Sequence, residues 1–427
     1  MTKKYLAVLL VAACSKSKAP PAAKDAAAAV AKAADAAVGP ANDAPAVAQK
    51  PVPTKVVVGE HASCAVMSDA TLRCWGANAQ GQLGDGTTTD HPTPVTPALK
   101  GVLDVVLSTG HACALLDDGS VACWGDIGFG KADHQAAPTG VPGINDAKRV
   151  FAVGAASCAT MSNGAFVCWG DIDDRGHLRL SGGAREHRVP TPGEGLGFVA
   201  ALTEAGALRS DGDVDAWGPG GVPKRTALSG ITELAAAGDG VCGLTKDGAV
   251  QCAGGAPHCA AAAPKPHPAK PVRGKSRGKK GKAKAPPPEP APVAAVETLA
   301  LPKARHLAFD VGLCVVTATG HLQCLDSKNP CELESAWPGL DKVDTVDGHC
   351  ARETAGTIRC WQVDRRSRTV STVKGAESAV QMASSASHGC ALLADKHVVC
   401  WGENTHGELG RGGTDTTVHP EAAPVQL

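Results

Sequence analysis

The stretch HACALLDDGSVACWG, residues 111–125, sets two cysteines ten positions apart around an Asp-Asp-Gly turn. Apolar residues stand two and eight positions after Cys113, at Leu115 and Val121. Strand side chains alternate between faces, so these four residues share one face of a hairpin. The Asp-Gly pair supplies the positive φ that a tight hairpin needs. The stretch reads as a β-hairpin with one buried face.

The pattern recurs along the chain. It appears as CAVMSDATLRCWG (64–76), CATMSNGAFVCWG (158–170), GALRSDGDVDAWG (206–218) and CGLTKDGAVQCAG (242–254). It continues as CVVTATGHLQCLD (314–326), CARETAGTIRCWQ (350–362) and CALLADKHVVCWG (390–402). With the opening stretch there are eight units. At the positions two and eight after the first cysteine, only Thr160 and Arg352 are not apolar. The spacing between units leaves room in each for a four-stranded blade of roughly 40 residues.

Seven cysteine pairs follow from this frame: Cys64/Cys74, Cys113/Cys123, Cys158/Cys168, Cys242/Cys252, Cys314/Cys324, Cys350/Cys360 and Cys390/Cys400. The fourth unit has lost both members together, leaving Gly206 and Ala216. In a hairpin that turns at its centre, such residues sit opposite one another with Cα atoms about 4.5–5.5 Å apart, close enough for a disulfide. Each pair is therefore read as a cross-strand disulfide. Zinc knuckles use Cys-x₂₋₄-Cys spacing, which is not found here. A redox centre needs one exposed cysteine of low pKa rather than seven copies of a pair. Buried free thiols are the remaining alternative, and an export signal favours oxidation over it. Cys259 and Cys331 each lie seven residues after a second cysteine, and they are expected to form a disulfide between neighbouring units.

GHACALLDDGSVACWG, together with WGANAQGQLGDGT (75–87) and WGENTHGELGRGG (401–413), resembles the regulator of chromosome condensation repeat. The resemblance covers about residues 54–427 without an insertion. It is specific in units one, two and eight and weak in units four to seven, which lack the GQLG segment. It implies an all-β fold, a β-propeller of four-stranded blades. The family usually has seven blades. Eight units here imply either eight blades or one degenerate unit that forms none. Related propellers act as nucleotide exchange factors, chromatin binders and secreted enzyme inhibitors.

The chain opens with MTKK, then the apolar run YLAVLLVAA and Cys14. A run of that length is far short of the roughly 20 apolar residues that span a bilayer. VAAC resembles the bacterial lipobox, which implies a signal peptide at residues 1–13 and a lipid on Cys14. An ordinary secretory signal and a buried N-terminal hydrophobe are the other readings. The order of lysines, short apolar run, small residues and cysteine favours the lipoprotein. Ser15, rather than Asp, after the cysteine points to the outer membrane under the enterobacterial sorting pattern. Residues 14–53 are rich in Ala, Lys and Pro and cannot bury enough surface to offset ordering, so they read as a disordered tether. Residues 54–427 make the propeller.

Residues 257–295 interrupt it with a basic, proline-rich insertion expected to be disordered. Its Lys270, Arg273, Lys275, Arg277, Lys279, Lys280, Lys282 and Lys284 are candidate anion-binding residues for a glycan or lipid headgroup. The alternative is a solvated loop. With tether and insertion set aside, the rest of the chain is acidic, which disfavours nucleic acid. Trp75, Trp124, Trp169, Trp217, Trp361 and Trp401 follow the second cysteine position. They read as blade-to-blade packing rather than as a carbohydrate platform. His61, His111, His349 and His388 lie one to three residues before a first cysteine and read as structural hydrogen-bonders rather than a channel ligand ring. GDIDD (170–174) lacks the EF-hand spacing. The chain carries no nucleophile elbow, HExxH, P-loop or dinucleotide fingerprint.

The expectation is a monomeric, lipid-anchored propeller outside the cytoplasm, without catalytic residues, cofactor or metal. It would bind an envelope or extracellular protein as a scaffold or inhibitor. Binding of an envelope glycan or lipopolysaccharide through the insertion and rim loops is the second reading. An enzyme with a site in the central channel is the third, and it requires carboxylates and histidines to converge there.

Overall fold

The computed structural model describes residues 50–127, 134–154, 156–171, 186–192, 196, 198–203, 205–217, 223–237, 239–255, 296–309, 313–325, 337, 339–363 and 368–427. The chain divides into two units, Met1–Lys50 and Pro51–Leu427. The signal segment, Cys14, nearly all of the tether, Cys259, Cys331 and residues 264–290 lie outside the described residues.

The second unit consists of eight antiparallel sheets, each a meander of consecutive strands. They occupy residues 53–95, 102–140, 147–192, 199–225, 231–298, 304–324, 343–372 and 379–424, called blades one to eight. In blade two the strands are Val102–Leu107, His111–Leu116, Val121–Asp126 and His134–Gly140. Seven blades have four strands, and blade six has three among the described residues. Among the described residues there is no helix, and so none long and apolar enough to cross a membrane. The count is eight because unit four, degenerate in sequence, forms a sheet like the others.

The two middle strands of each blade are the hairpins read from the sequence. All seven cysteine pairs expected from the ten-residue spacing are bonded. They are Cys64–Cys74, Cys113–Cys123, Cys158–Cys168, Cys242–Cys252, Cys314–Cys324, Cys350–Cys360 and Cys390–Cys400. In every pair the two cysteines are directly opposed partners in the strand register. Their Cα atoms are 3.9–4.1 Å apart, closer than the spacing expected above. The reason lies in the register. The hairpin of blade two closes with Leu116 N donating to Ser120 O at 2.9 Å. Counting back, the cysteines fall on a non-hydrogen-bonded pair, where strands approach most closely. Six residues after the first cysteine position the backbone is left-handed in every blade. Glycine fills that place in six blades, with φ from 81° to 89°. Ala70 (φ 58°) and Lys396 (φ 72°) fill it in blades one and eight.

The sheets pack face to face through eight apolar clusters, one for each seam of a closed ring. Between blades one and two, Cys64, Val66, Leu72 and Cys74 pack against Val102, Val105, Ala114 and Trp124. Between blades eight and one, Cys390, Leu392, Val398 and Cys400 pack against Val56, Ala65 and Trp75. Each disulfide thus lies in a seam, and in six of the seven seams a tryptophan of the following blade covers it. Trp217 covers Cys158 and Cys168, and Trp361 covers Cys314 and Cys324. The exception is Cys242–Cys252, where Leu325 takes the tryptophan's place. Thirteen of the fourteen bonded cysteines are buried, and Cys360, against Trp401, is partly so. All six tryptophans of this repeat position are buried, which rules them out as a carbohydrate platform. Blade four shows why both cysteines can go together. A Cβ on Gly206 would lie 2.5 Å from Asp215 O of its own blade and 2.9 Å from Val241 Cγ1 of blade five, so both strands already fill that space.

Among the described residues no strand is shared between the first and last blades. Two loops clasp their neighbours instead. In residues 401–413 of blade eight, Glu408 O accepts the Trp75 indole N–H of blade one at 2.8 Å, and Gly412 N donates to Pro92 O at 2.8 Å. In residues 75–87 of blade one, Gln82 O accepts the Trp124 indole N–H of blade two at 2.8 Å, and Gly86 N donates to Ala136 O at 2.8 Å. Leu83 and Leu409 are fully buried beneath the loops. Asn78 and Asn404, also buried, brace them by accepting from Leu83 N (2.9 Å) and Leu409 N (3.3 Å). Gly84 and Gly410 have positive φ and lie against Trp124 and Trp75, where a side chain would collide.

The left-handed hairpin position yields a test. An L-residue there costs about 1–2 kcal/mol, and glycine avoids most of that cost. Lys396→Gly is expected to raise unfolding stability by about 1 kcal/mol, seen as a higher urea midpoint at unchanged m-value. A lower midpoint would contradict the assigned turn.

Candidate functional site

The blades turn their innermost strands toward one another around a central cavity of about 390 Å³. Its walls come from the strands Pro53–Val58, Val102–Leu107, Ala147–Val153, Val199–Thr203, Val343–Asp347 and Ala379–Ser384. Each innermost strand carries a β-bulge near its start, where the ladder skips one residue. Bulges re-aim side chains, and the residue after each bulge stands at one level of the ring. That level holds Lys55, Asp104, Arg149, Ala201, Glu233, His306, Thr345 and Gln381.

These residues form a polar belt that ties blade to blade. Lys55 pairs with Asp104, and Arg149 donates to Ala200 O. His306 Nδ1 meets Glu233 Oε1 at 2.6 Å, and the hydrogen bond to that carboxylate raises the imidazole pKa against the opposing effect of burial. Gln381 accepts from Val56 N at 2.9 Å and donates to Val56 O at 2.7 Å. The seams 1–2, 3–4, 5–6 and 8–1 are bridged this way.

Beside the belt the cavity wall is about evenly polar and apolar, its apolar part coming from Val57, Val106, Phe151, Leu202 and Met382. Asp347 ends its strand at this wall, its side chain open to the cavity. Its carboxylate accepts from Ser384 N at 3.0 Å. The protein that surrounds the cavity raises its pKa above the ordinary carboxyl value, and backbone hydrogen bonds from Ser384 and Gly348 oppose that rise. The described lining holds Lys55 and Asp347 as its charged groups and no histidine. Among the described residues no cluster of His, Cys, Asp and Glu is placed to hold a metal ion.

The four histidines fall into different places. His111 and His388 are buried at equivalent positions and join blades: His111 Nε2 lies 2.9 Å from Ser157 Oγ, and His388 Nε2 lies 2.7 Å from Ser63 Oγ. The same serines touch the disulfide sulfurs, Ser157 with Cys113 Sγ at 3.3 Å and Ser63 with Cys390 Sγ at 3.6 Å. Burial pushes His111 down to about 4 and His388 down to about 3, the latter aided by the nearby His61. His61 faces the buried Glu408 of the clasp, Nδ1 to Oε1 3.4 Å. The carbonyl of His349 accepts from Trp361 N at 2.9 Å. None of the four lines the cavity. The eight candidate anion-binding residues between Lys270 and Lys284 lie outside the described residues.

The belt does not show in the hairpin pattern, because its residues lie on a different strand from the cysteines. A signal exists: Lys55, Asp104, Arg149, Glu233 and Gln381 each stand nine residues before a first cysteine.

The model of the regulator of chromosome condensation (RCC1) repeat matches residues 54–82 and 379–408, and a second model of that repeat matches residues 72–115. The chain carries RCC1 repeats. The matched segments lie in blades one, two and eight, the blades joined by the two clasps. No protein of curated function matches the sequence. Among solved structures, Prp20p of Saccharomyces cerevisiae is 15% identical, covering 87% of this chain and 76% of its own, with a TM-score of 0.39. The CRINKLY WD40 ectodomain of the Arabidopsis thaliana receptor kinase ACR4 is 16% identical, with coverage of 87% and 99% and a TM-score of 0.39. The computationally designed Ika8 protein is 10% identical, with coverage of 82% and 96% and a TM-score of 0.47.

The two buried histidines make the ring acid-sensitive. Their folded pKa values lie below the unfolded value of about 6.5, so the unfolded chain takes up protons first as pH falls. Their contribution is complete above about pH 6.5 and is lost as pH drops toward 4 for His111 and toward 3 for His388. For His111 the loss is up to about 3 kcal/mol. The denaturation midpoint should fall steeply over this window, and the His111→Gln/His388→Gln variant should show a shallower slope despite a lower midpoint at pH 7. Equal slopes would show that other groups govern the acid limb.

Proposed function

We propose that this chain is a noncatalytic protein-binding scaffold or inhibitor, held outside the cytoplasm by a lipid on Cys14. The observation that carries this reading is the set of seven disulfides in the seams. Disulfides on this scale persist in oxidising compartments, and the N-terminal order of lysines, short apolar run and cysteine supplies a route there. The seams consume the repeated residues of the hairpins. What differs from blade to blade is left to the rim loops, the usual place for recognition. Sites are grafted onto folds, so partner identity must come from those loops and not from the propeller as such.

The anchor has a direct test. Protein extracted from membranes should carry a diacylglyceryl-modified or triacylated Cys14 by intact mass, and Cys14→Ser should release it from the membrane fraction. An unprocessed Met1 would remove the extracytoplasmic reading.

Glycan or lipopolysaccharide binding is the second reading, favoured by the nine basic groups and no acid in residues 265–284. Deleting residues 264–290 separates the two. Scaffold function predicts that a protein partner, cross-linked from photoreactive residues in the rim loops, is still captured after deletion. Glycan binding predicts loss of lipopolysaccharide pull-down and no rim cross-links to protein.

A further inference from the structure

The central cavity has a charge balance that selects a ligand. At about 390 Å³ it falls in the range of small-molecule sites. Its polar wall groups are already engaged, with one exception. The Lys55 ammonium is paired with Asp104. The Gln381 amide is used on both backbone groups of Val56. Asp347 receives backbone hydrogen bonds, yet no Lys, Arg or His pairs with it among the described residues. Its carboxylate lines an open space to which Val57, Val106, Phe151, Leu202 and Met382 contribute the apolar part of the wall.

The Asp347 carboxylate is solvent-exposed at the mouth of the cavity, so a cation can reach it there and be paired with it while an attached apolar body meets the neighbouring wall. An anion is repelled, and a neutral apolar molecule gains only wall contact. We infer that the channel cavity is a binding site for an organic cation, a primary ammonium on an apolar body, with Asp347 as counter-ion and the Val57–Phe151 side of the wall covering the body. The site is independent of the protein-binding reading of the rims, and either can fail without the other.

The test is calorimetric titration of the oxidised full-length protein with hexylammonium, hexan-1-ol and hexanoate. Hexylammonium should bind saturably, at least about tenfold more tightly than hexanoate. Asp347→Asn should weaken hexylammonium about tenfold while leaving hexan-1-ol unchanged. Ala383→Leu keeps the carboxylate and narrows the cavity, and it should weaken both hexylammonium and hexan-1-ol. Hexanoate binding as well as hexylammonium, or hexylammonium affinity unchanged in folded Asp347→Asn, overturns the counter-ion assignment. Affinity unchanged in Ala383→Leu overturns the location. Should Asp347→Asn fail to fold, the hexylammonium-to-hexanoate ratio and Ala383→Leu decide the matter.

Discussion

The ring rests on one register, that of two residues directly opposed on the middle strands of each blade. Side chains along a strand alternate, so a slip of one residue would carry the disulfide and its apolar neighbours to the wrong face. Two devices hold the register from opposite ends. The left-handed residue at the turn fixes the hairpin from its tip, and the disulfide fixes it at its base. A short-loop disulfide contributes about 2–3 kcal/mol in the chain-entropy model. The chain has five Phe and one Tyr, so its seams lack the aromatic area that most cores use. The sulfur pair, a compact apolar group, fills the place instead, and in most seams one Trp from the next blade covers it.

A propeller that shares no strand between its first and last sheets must close by side contacts alone. The seam between blades eight and one accordingly holds several different bonds between residues about 325 apart in sequence: the clasp from Glu408 O to Trp75, the His388–Ser63 pair and the Gln381–Val56 pair. The other clasp lies one seam along. In these two units the GQLG and GELG segments reach the indole N–H of the following blade's Trp. In blade three the indole nitrogen of Trp169 is buried without a partner among the described residues, and the unit preceding it lacks the segment. The matching of RCC1 repeats to blades one, two and eight follows the same boundary.

The hairpins were readable because their code is local. Period-two apolar positions, a turn residue and a cysteine ten places on all lie within one short stretch. The pairing of Cys113 with Cys123 needs no knowledge of the rest of the chain, and the same holds for Cys168, Cys252, Cys324 and Cys360 with their partners ten residues before them. Unit four was readable as a repeat from Leu208 and Val214 alone, but the room left at Gly206 depends on Asp215 O across the hairpin and on Val241 of the next blade, which the hairpin pattern does not show. The blade count was open for the same reason: whether a degenerate unit forms a sheet depends on its neighbours. His111 and His388 stood at a recognisable position, yet their partners, Ser157 and Ser63, belong to the following blade. The polar belt was hardest to see. Its residues sit on a separate strand from the cysteines, behind a bulge and a turn of variable length, so the frame that aligns the hairpins drifts before it reaches them.

Repetition itself indicates where chemistry can reside. Every blade has the same kind of neighbour on each side, so residues in the seams face the same demand eight times and converge on Cys, Val, Leu and Trp. The innermost strands face a shared axis, and there each blade meets seven others at once. Identical residues at that level would stack like charges around one channel, which costs energy at short range in a desolvated space. The blades diverge there instead: Lys55 beside Asp104, Glu233 beside His306, and uncharged Ala201 and Thr345 between. Asp347 stands at the wall position that Val57, Val106 and Phe151 take in blades one to three, opposite the first cysteine in each case. A carboxylate at that one position breaks the run of uncharged residues while it also reaches across to Ser384 N of blade eight, so at the axis of the ring one residue both joins two blades and sets a charge where the other blades have none.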